Sequence, residues 1–279
     1  MKRRDCLAAT LAAAWATPAW LQAQTRPRSV GERLHVLATL TMPGLGRERT
    51  LRVYLPPSYA SQPSRHYPVV YFHDGQNLFD DATSYAGEWG VDETLDALAA
   101  QTGVEAIAVG IDHGGEHRMR ELNPWDHPRF GPGEGRAYLA FVANTVKPHI
   151  DRRYRTLPGR AHTALAGSSM GGLITWAGLC LHGDTFGGGL VMSPSLWAAP
   201  AALDGAARQT WAAGTRIYVY AGGLEGGDMA ANAERLHRLI EKPAVAALRV
   251  NETGQHNEAT WRAELPAALR FLFGLGQPS

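Results

Sequence analysis

The sequence predicts an α/β protein with a mostly parallel central sheet and helices on both faces. Three observations predict it. Short β-rich runs alternate with helical runs along the chain, as in successive strand–helix–strand units. Several β-rich runs are continuously apolar instead of alternating, the pattern of strands buried on both faces. The 279 residues are 45% hydrophobic, and a chain of that length builds a core without a disulfide or metal staple.

The chain opens with Lys2, Arg3 and Arg4, then runs uncharged from Cys6 to Leu21, and Leu21-Gln22-Ala23 offers a small residue for cleavage. This is the layout of an export signal over residues 1–23, too short to span a membrane. Arg3-Arg4-Asp5-Cys6-Leu7 resembles a twin-arginine signal; an ordinary secretion signal is the alternative. Removing it leaves residues 24–279 as one catalytic domain with 24 bases, 25 acids and a single cysteine, Cys180. A periplasmic or secreted location with no stable membrane insertion is expected. The near-neutral charge, +1 for the whole chain, excludes a polybasic nucleic-acid binder and an acidic tail.

Strands are expected at Leu51–Leu55, Val69–Phe72, Ala106–Ile111, Thr163–Ala166, Gly189–Met192, Ile217–Tyr220 and Leu248–Asn251. Helices are expected at Val91–Ala100, Ala137–Ile150, Gly172–Leu181, Ala230–Ile240 and Thr260–Leu272. In the last, Trp261, Leu265, Leu269 and Leu272 recur at spacings of three and four and form one apolar face. Gly110–Gly135 has no clear periodicity, and a stretch that long reads as a functional loop.

Gly167-Ser168-Ser169-Met170-Gly171 is a G-x-S-x-G pentapeptide centred on Ser169. It follows a predicted strand and opens a predicted helix, the setting a nucleophile elbow requires. Glycines on either side let the turn close, and the helix N-terminus beneath the serine favours developing negative charge. Among 11 histidines, His256 lies after the last strand and before the last helix, where a base serving such a serine sits. The carboxylate that orients it should follow the preceding strand. Glu225 lies near that strand's end, and Asp228 is the alternative. One oxyanion donor is the N–H of the residue after the nucleophile, Met170. The other should come from the loop after Pro68–Phe72, at Gln76, with Gly75 as the alternative. Tyr85, Trp89, Trp125, Phe130 and Trp197 are candidates for a pocket wall, and Arg118 and Arg120 are loop cations able to pair with a carboxylate or catecholate. No metal is expected, since there is no HExxH and His113/His117 flank Gly114-Gly115 in a loop.

The segments Tyr71-Phe72-His73-Asp74-Gly75-Gln76-Asn77-Leu78-Phe79, Gly167–Gly172, Met192-Ser193-Pro194-Ser195-Leu196-Trp197 and His256-Asn257-Glu258 with Trp261 resemble the esterase D-like "putative esterase" family of α/β-hydrolases. The likeness spans about Leu51 to Phe273. It implies the α/β-hydrolase fold, a serine carboxylic-ester hydrolase acting through an acyl-enzyme, and no cofactor. It supports Ser169 and His256 directly and Glu225 by position. Substrate contacts are expected at Asp74, Trp125, Arg118 and Trp197. The expected substrate is a small-molecule or carbohydrate ester: a siderophore ester, a feruloyl or acetyl sugar ester, or a simple acyl ester. A serine acyltransferase uses the same triad and is the alternative activity; a non-catalytic binding protein on the same fold would lack part of it.

Overall fold

The structure, a computed structural model, describes residues 31–206 and 209–276. The export signal expected over residues 1–23 lies outside the described residues. In chain order the elements are β1 Leu34–Met42, β2 Arg47–Tyr54, β3 Val69–His73, α1 Val91–Thr102, β4 Ile107–Ile111, α2 Arg118–Glu121, α3 Gly135–Phe141, α4 Lys147–Arg153, β5 Thr163–Ser168, α5 Met170–Leu181, β6 Gly188–Met192, α6 Ala201–Ala206, β7 Arg216–Gly222, α7 Met229–Arg238, β8 Val245–Asn251 and α8 Glu258–Leu272.

The eight strands form one sheet in the order β1-β2-β4-β3-β5-β6-β7-β8. β1 and β2 are antiparallel and β2 meets β4 antiparallel, while every pairing from β4 to β8 is parallel. After β3 the chain steps to one side for β4, then returns past β3 to lay down β5 to β8 on the other. The winding direction therefore reverses between β3 and β5. In open α/β sheets a crevice opens outside the carboxyl ends of the strands at such a point.

Side chains alternate across the sheet and build two cores. Val69, Tyr71, Leu165, Val191, Ile217 and Val219 face the helices α3, α4, α5, α6 and α7. Val70, Phe72, Ala166, Met192, Tyr218 and Tyr220 face α1 and α8. β3, β4, β5 and β6 are buried at every position, which is why they read as unbroken apolar runs.

The structure adds β1, α6 and α2 to the expected elements, the last a single turn inside the stretch Gly110–Gly135 expected as a loop. β1 is an edge strand with most positions wholly or partly exposed, so no buried run marks it. The helix expected over Ala137–Ile150 is divided. Val142–Val146 forms a wide π turn between α3 and α4, and Pro148 stands in the first turn of α4. A proline supplies no N–H to the helical ladder, and the local widening absorbs the missing bond. The long loop is tied down by charge. Arg47 bonds Glu121 at 2.7 Å and Glu134 at 2.5 Å, Arg49 bonds Glu121, and Arg120 bonds Glu134. Glu121 and Arg49 are buried, so their pairing is what makes burial of either charge tolerable.

Candidate active site

Ser169 sits in the turn between β5 and α5 with φ 57° and ψ −120°, a conformation costly for a residue with a Cβ. Surrounding contacts hold it there. Its N–H donates to Met192 O at 3.0 Å, and its carbonyl accepts from Ser195 N–H at 3.0 Å. The flanking glycines are required by space. A methyl on Gly167 would stand 2.8 Å from the Gly171 carbonyl carbon, and one on Gly172 would stand 2.5 Å from Met192 O. The hydroxyl is thereby raised at the carboxyl end of β5, over the first turn of α5. The leading N–H groups of a helix have no intrahelical acceptor, and Met170, buried, carries the first of them.

His256 lies in the loop between β8 and α8. Its Nε2 is 2.9 Å from Ser169 Oγ and its Nδ1 is 3.1 Å from Glu225 Oε2. The Glu225 side chain is 0% exposed. Its Oε1 accepts from the Gly222 N–H at 2.8 Å and from the Ser193 hydroxyl at 2.5 Å. An ionised carboxylate only accepts hydrogen bonds, so Nδ1 carries the imidazole proton and Nε2 turns its lone pair to the serine hydroxyl. Asp228, the alternative acid, is exposed just before α7 and is not bonded to the imidazole.

The loop after β3 lies directly on the elbow: a methyl on Gly171 would meet Asp74 Oδ2 at 3.3 Å and His73 Cβ at 3.4 Å. Gln76 sits in the short turn Gly75–Asn77. Its carbonyl accepts from Thr83 Oγ1 at 2.7 Å and its side-chain oxygen from His113 N–H at 3.2 Å. Gly75 packs against β4, where a methyl would stand 2.6 Å from the Gly110 carbonyl carbon. His73 is buried, and its Nδ1 is 2.8 Å from the Tyr138 hydroxyl. Burial pushes this imidazole down to about 4, so it is neutral near pH 7.

A cleft of about 750 Å³ opens beside Ser169 and His256. Leu196, Trp197, Leu203 and Met229 supply apolar wall; Asp228 and Arg235 supply charge. Trp197 is half exposed and meets His127 and Phe130, which stack on each other with centroids 4.5 Å apart. Of the four expected substrate contacts, only Trp197 is on this cleft wall. Trp125 packs half-buried against the core. Asp74 and Arg118 form a two-bond ion pair, Nε to Oδ1 at 2.6 Å and Nη2 to Oδ2 at 2.8 Å, so each charge is spent on the other. Burial would raise the Asp74 carboxyl, but Arg118 outweighs it and holds it below the usual carboxylate range.

Residues 43–272 match the family described as "Putative esterase". The chain belongs to this esterase family. Membership supports carboxylic-ester hydrolysis on the α/β-hydrolase fold. Over 246 residues the chain is 28% identical to the iron(III) salmochelin esterase of Escherichia coli O6:H1, covering 82% of this chain and 55% of that protein. It is 24% identical to the uncharacterized protein YbbA of Bacillus subtilis, covering 81% of this chain and 93% of that protein. The chain thus spans about half the length of the salmochelin esterase and most of YbbA. The fold is shared with the BES protein of Bacillus cereus, with a TM-score of 0.75, 21% identity and coverage of 88% and 97% of the two chains. It is also shared with the enterobactin esterase FES of Shigella flexneri, with a TM-score of 0.72, 20% identity and coverage of 89% and 61%. Among the described residues no helix is long and apolar enough to cross a membrane, and no His, Cys, Asp and Glu cluster is disposed to hold a metal.

Sequence reasoning missed three side chains at the site. Ser195 Oγ is 3.2 Å from Ser169 Oγ. Ser193 bonds Glu225, and Trp261 Nε1 donates to Ser193 Oγ at 2.9 Å. In the sequence the two serines stand only as family markers, and Trp261 as a marker and as part of the apolar face of the last helix. The usable signal is Ser-Pro-Ser at the carboxyl end of a buried strand, beside the elbow.

Proposed function

We propose that the esterase cleaves its ester through an acyl-enzyme on Ser169, with His256 as general base and acid and Glu225 as the carboxylate that orients it. The observation that carries this reading is the unbroken chain from Ser169 Oγ through both imidazole nitrogens to a fully buried carboxylate. His256 takes the serine proton as Oγ attacks the ester carbonyl. Glu225 holds the tautomer and stabilises the imidazolium. The oxyanion is assigned to the N–H groups of Met170 and Gln76, each such donor lowering the barrier by about 2.7–4 kcal/mol. The alcohol leaves with the proton from His256. Water, activated by the same imidazole, then releases the acid.

Release to water is favoured over transfer to another alcohol because the site is open. His256 keeps 34% of its side chain exposed beside a broad cleft, so water reaches the acyl carbonyl. The cleft's aromatic wall at Trp197, backed by His127 and Phe130, favours an ester carrying a planar ring. This accords with relatives named as salmochelin and enterobactin esterases. Residues 24–279 act as one catalytic unit in this reading, exported by the amino-terminal signal to the periplasm or beyond.

Ser169→Ala and His256→Ala are each expected to abolish p-nitrophenyl ester turnover while circular dichroism stays native. Near-normal turnover in either folded variant would reject the assignment.

A further inference from the structure

We infer that Ser193 and Trp261 are positioning residues that hold the acid and the base of the triad as one unit. The inference rests on the Ser169–His256–Glu225 reading and names what keeps that array in register.

Four contacts carry it. Trp261 Nε1 donates to Ser193 Oγ at 2.9 Å, and Ser193 Oγ donates to Glu225 Oε1 at 2.5 Å. Glu225 Oε2 faces His256 Nδ1 at 3.1 Å. The Trp261 ring then returns to the imidazole, with centroids 4.9 Å apart and planes at 84°. The contacts close a ring: indole N–H, hydroxyl, carboxylate, imidazole, indole ring. Every member except the imidazole is out of solvent: Ser193 is 0% exposed, Trp261 5%, and the Glu225 side chain 0%.

Each element of the ring is fixed from outside. Ser193 follows β6 with φ 43°, a strained backbone for a non-glycine residue. Its N–H is held by Tyr220 O at 2.7 Å. That conformation aims its hydroxyl at the acid instead of into the sheet. Trp261 sits one turn into α8, whose amino end is capped by the Asn257 side chain accepting from Thr260 N–H at 2.9 Å. Its ring also leans on Trp89, centroids 5.9 Å apart. His256 itself rides on a loop and is partly exposed, so its direction must be set by what it touches.

The chemical consequence follows from hydrogen-bond direction. The indole can only donate, so it fills the acceptor side of the Ser193 oxygen and leaves the hydroxyl proton for Glu225. Hydrogen bonds in such a chain polarise one another. Without the indole N–H, the hydroxyl is free to rotate away. The carboxylate then keeps only the Gly222 N–H on Oε1 and can turn out of line with His256.

The test uses the full chain with p-nitrophenyl acetate as the probe ester. Ser193→Ala and Trp261→Phe are measured beside Ser169→Ala and His256→Ala. Trp261→Phe keeps an aromatic ring against His256 and removes the donor. Each positioning variant is expected to lose kcat on the order of 10- to 100-fold, with KM within about twofold of the parent. The double variant is expected to lose no more than the worse single one, because both break the same chain. Proton NMR of the parent should show a low-field Nδ1–H resonance of His256 that broadens or disappears in both variants. A structural role alone would lower melting temperature and leave kcat and this resonance unchanged. Parent-like kcat in folded Trp261→Phe, or fully multiplicative losses in the double variant, would overturn the inference while inactive Ser169→Ala and His256→Ala leave the triad standing. Active Ser169→Ala or His256→Ala would overturn the triad itself, and the inference with it.

Discussion

Replacing Glu225 by glutamine changes one charge and almost no volume, at a site where the partners dictate the outcome. The carboxylate accepts from Gly222 N–H and the Ser193 hydroxyl on Oε1 and faces His256 Nδ1 with Oε2. A glutamine keeps its carbonyl oxygen on the two donors, since its amide N–H₂ there would face donors on both sides. The amide nitrogen is thereby forced toward Nδ1. The imidazole must answer by accepting at Nδ1, which moves its proton to Nε2, 2.9 Å from Ser169 Oγ. The base then meets the hydroxyl with a proton instead of a lone pair. The imidazolium formed during attack also loses its counter-charge, a carboxylate whose side chain is wholly buried. The wrong-tautomer effect in a serine triad is on the order of 10³- to 10⁴-fold in kcat, about 4–5.5 kcal/mol of barrier. KM should hold within about threefold, because the apolar wall of Leu196, Trp197, Leu203 and Met229 is untouched and the Glu225 side chain is itself buried. Initial rates with a short p-nitrophenyl ester, alongside urea unfolding to confirm an intact fold, read both quantities. A Glu225→Gln enzyme within about tenfold of the parent kcat would refute the orientation of the array.

Three further outcomes are expected. Asp74→Asn removes the ion-pair partner of Arg118 beside the elbow, leaving it only the more distant Glu258, and should cost about 2–3 kcal/mol in urea unfolding at pH 7, less than for a fully buried pair because Arg118 keeps 25% of its side chain exposed. The difference should shrink on acidification, since a carboxylate held below its usual range contributes stability at neutral pH and loses it as the native group protonates. Asp92 behaves in the opposite sense. Burial, with Glu93 and Glu88 nearby, pushes its carboxyl up to about 7, so the native state holds more protons than the unfolded chain between about 4 and 7 and loses stability as pH rises through that window; Asp92→Asn should be more stable than the parent at pH 8 and show no gain at pH 4. Trp197→Ala should raise KM several-fold for esters with an aromatic acyl group and leave aliphatic acyl esters of the same alcohol and melting temperature nearly unchanged, measured by parallel rates on the two ester classes.

Much of this was legible in the residues for reasons that can be named. β3 to β6 are buried on both faces, so their runs are apolar without alternation, and parallel pairing leaves the connections to helices with their own period. Ser169 is marked by the glycines that its turn requires. His256 is marked by its place after the last strand. Glu225 is separated from Asp228 by reach: three residues beyond β7 the chain still lies under the imidazole, whereas Asp228 has already turned out at the start of α7. What was not legible depends on partners far apart in the chain. Asp74 reads as a ligand for substrate until Arg118, 44 residues later, is brought onto it. Arg47 and Glu134 are 87 residues apart, and nothing in either segment announces the other. Ser193 and Trp261 are unremarkable as a serine and an apolar-face tryptophan, and only the closure of β6 against α8 makes them neighbours. β1 escaped because an exposed edge strand carries no buried pattern.

The central claim is that one hydroxyl, Ser169, is made nucleophilic by His256, although Ser195 Oγ lies only 3.2 Å away and Ser168 is the adjacent residue. Labelling with a fluorophosphonate probe, followed by peptide mass mapping, tests it most directly. A single adduct on Ser169 in the parent, lost in His256→Ala, is the predicted result. An adduct on Ser195 or Ser168, or labelling of Ser169 that persists undiminished without the imidazole, would contradict it.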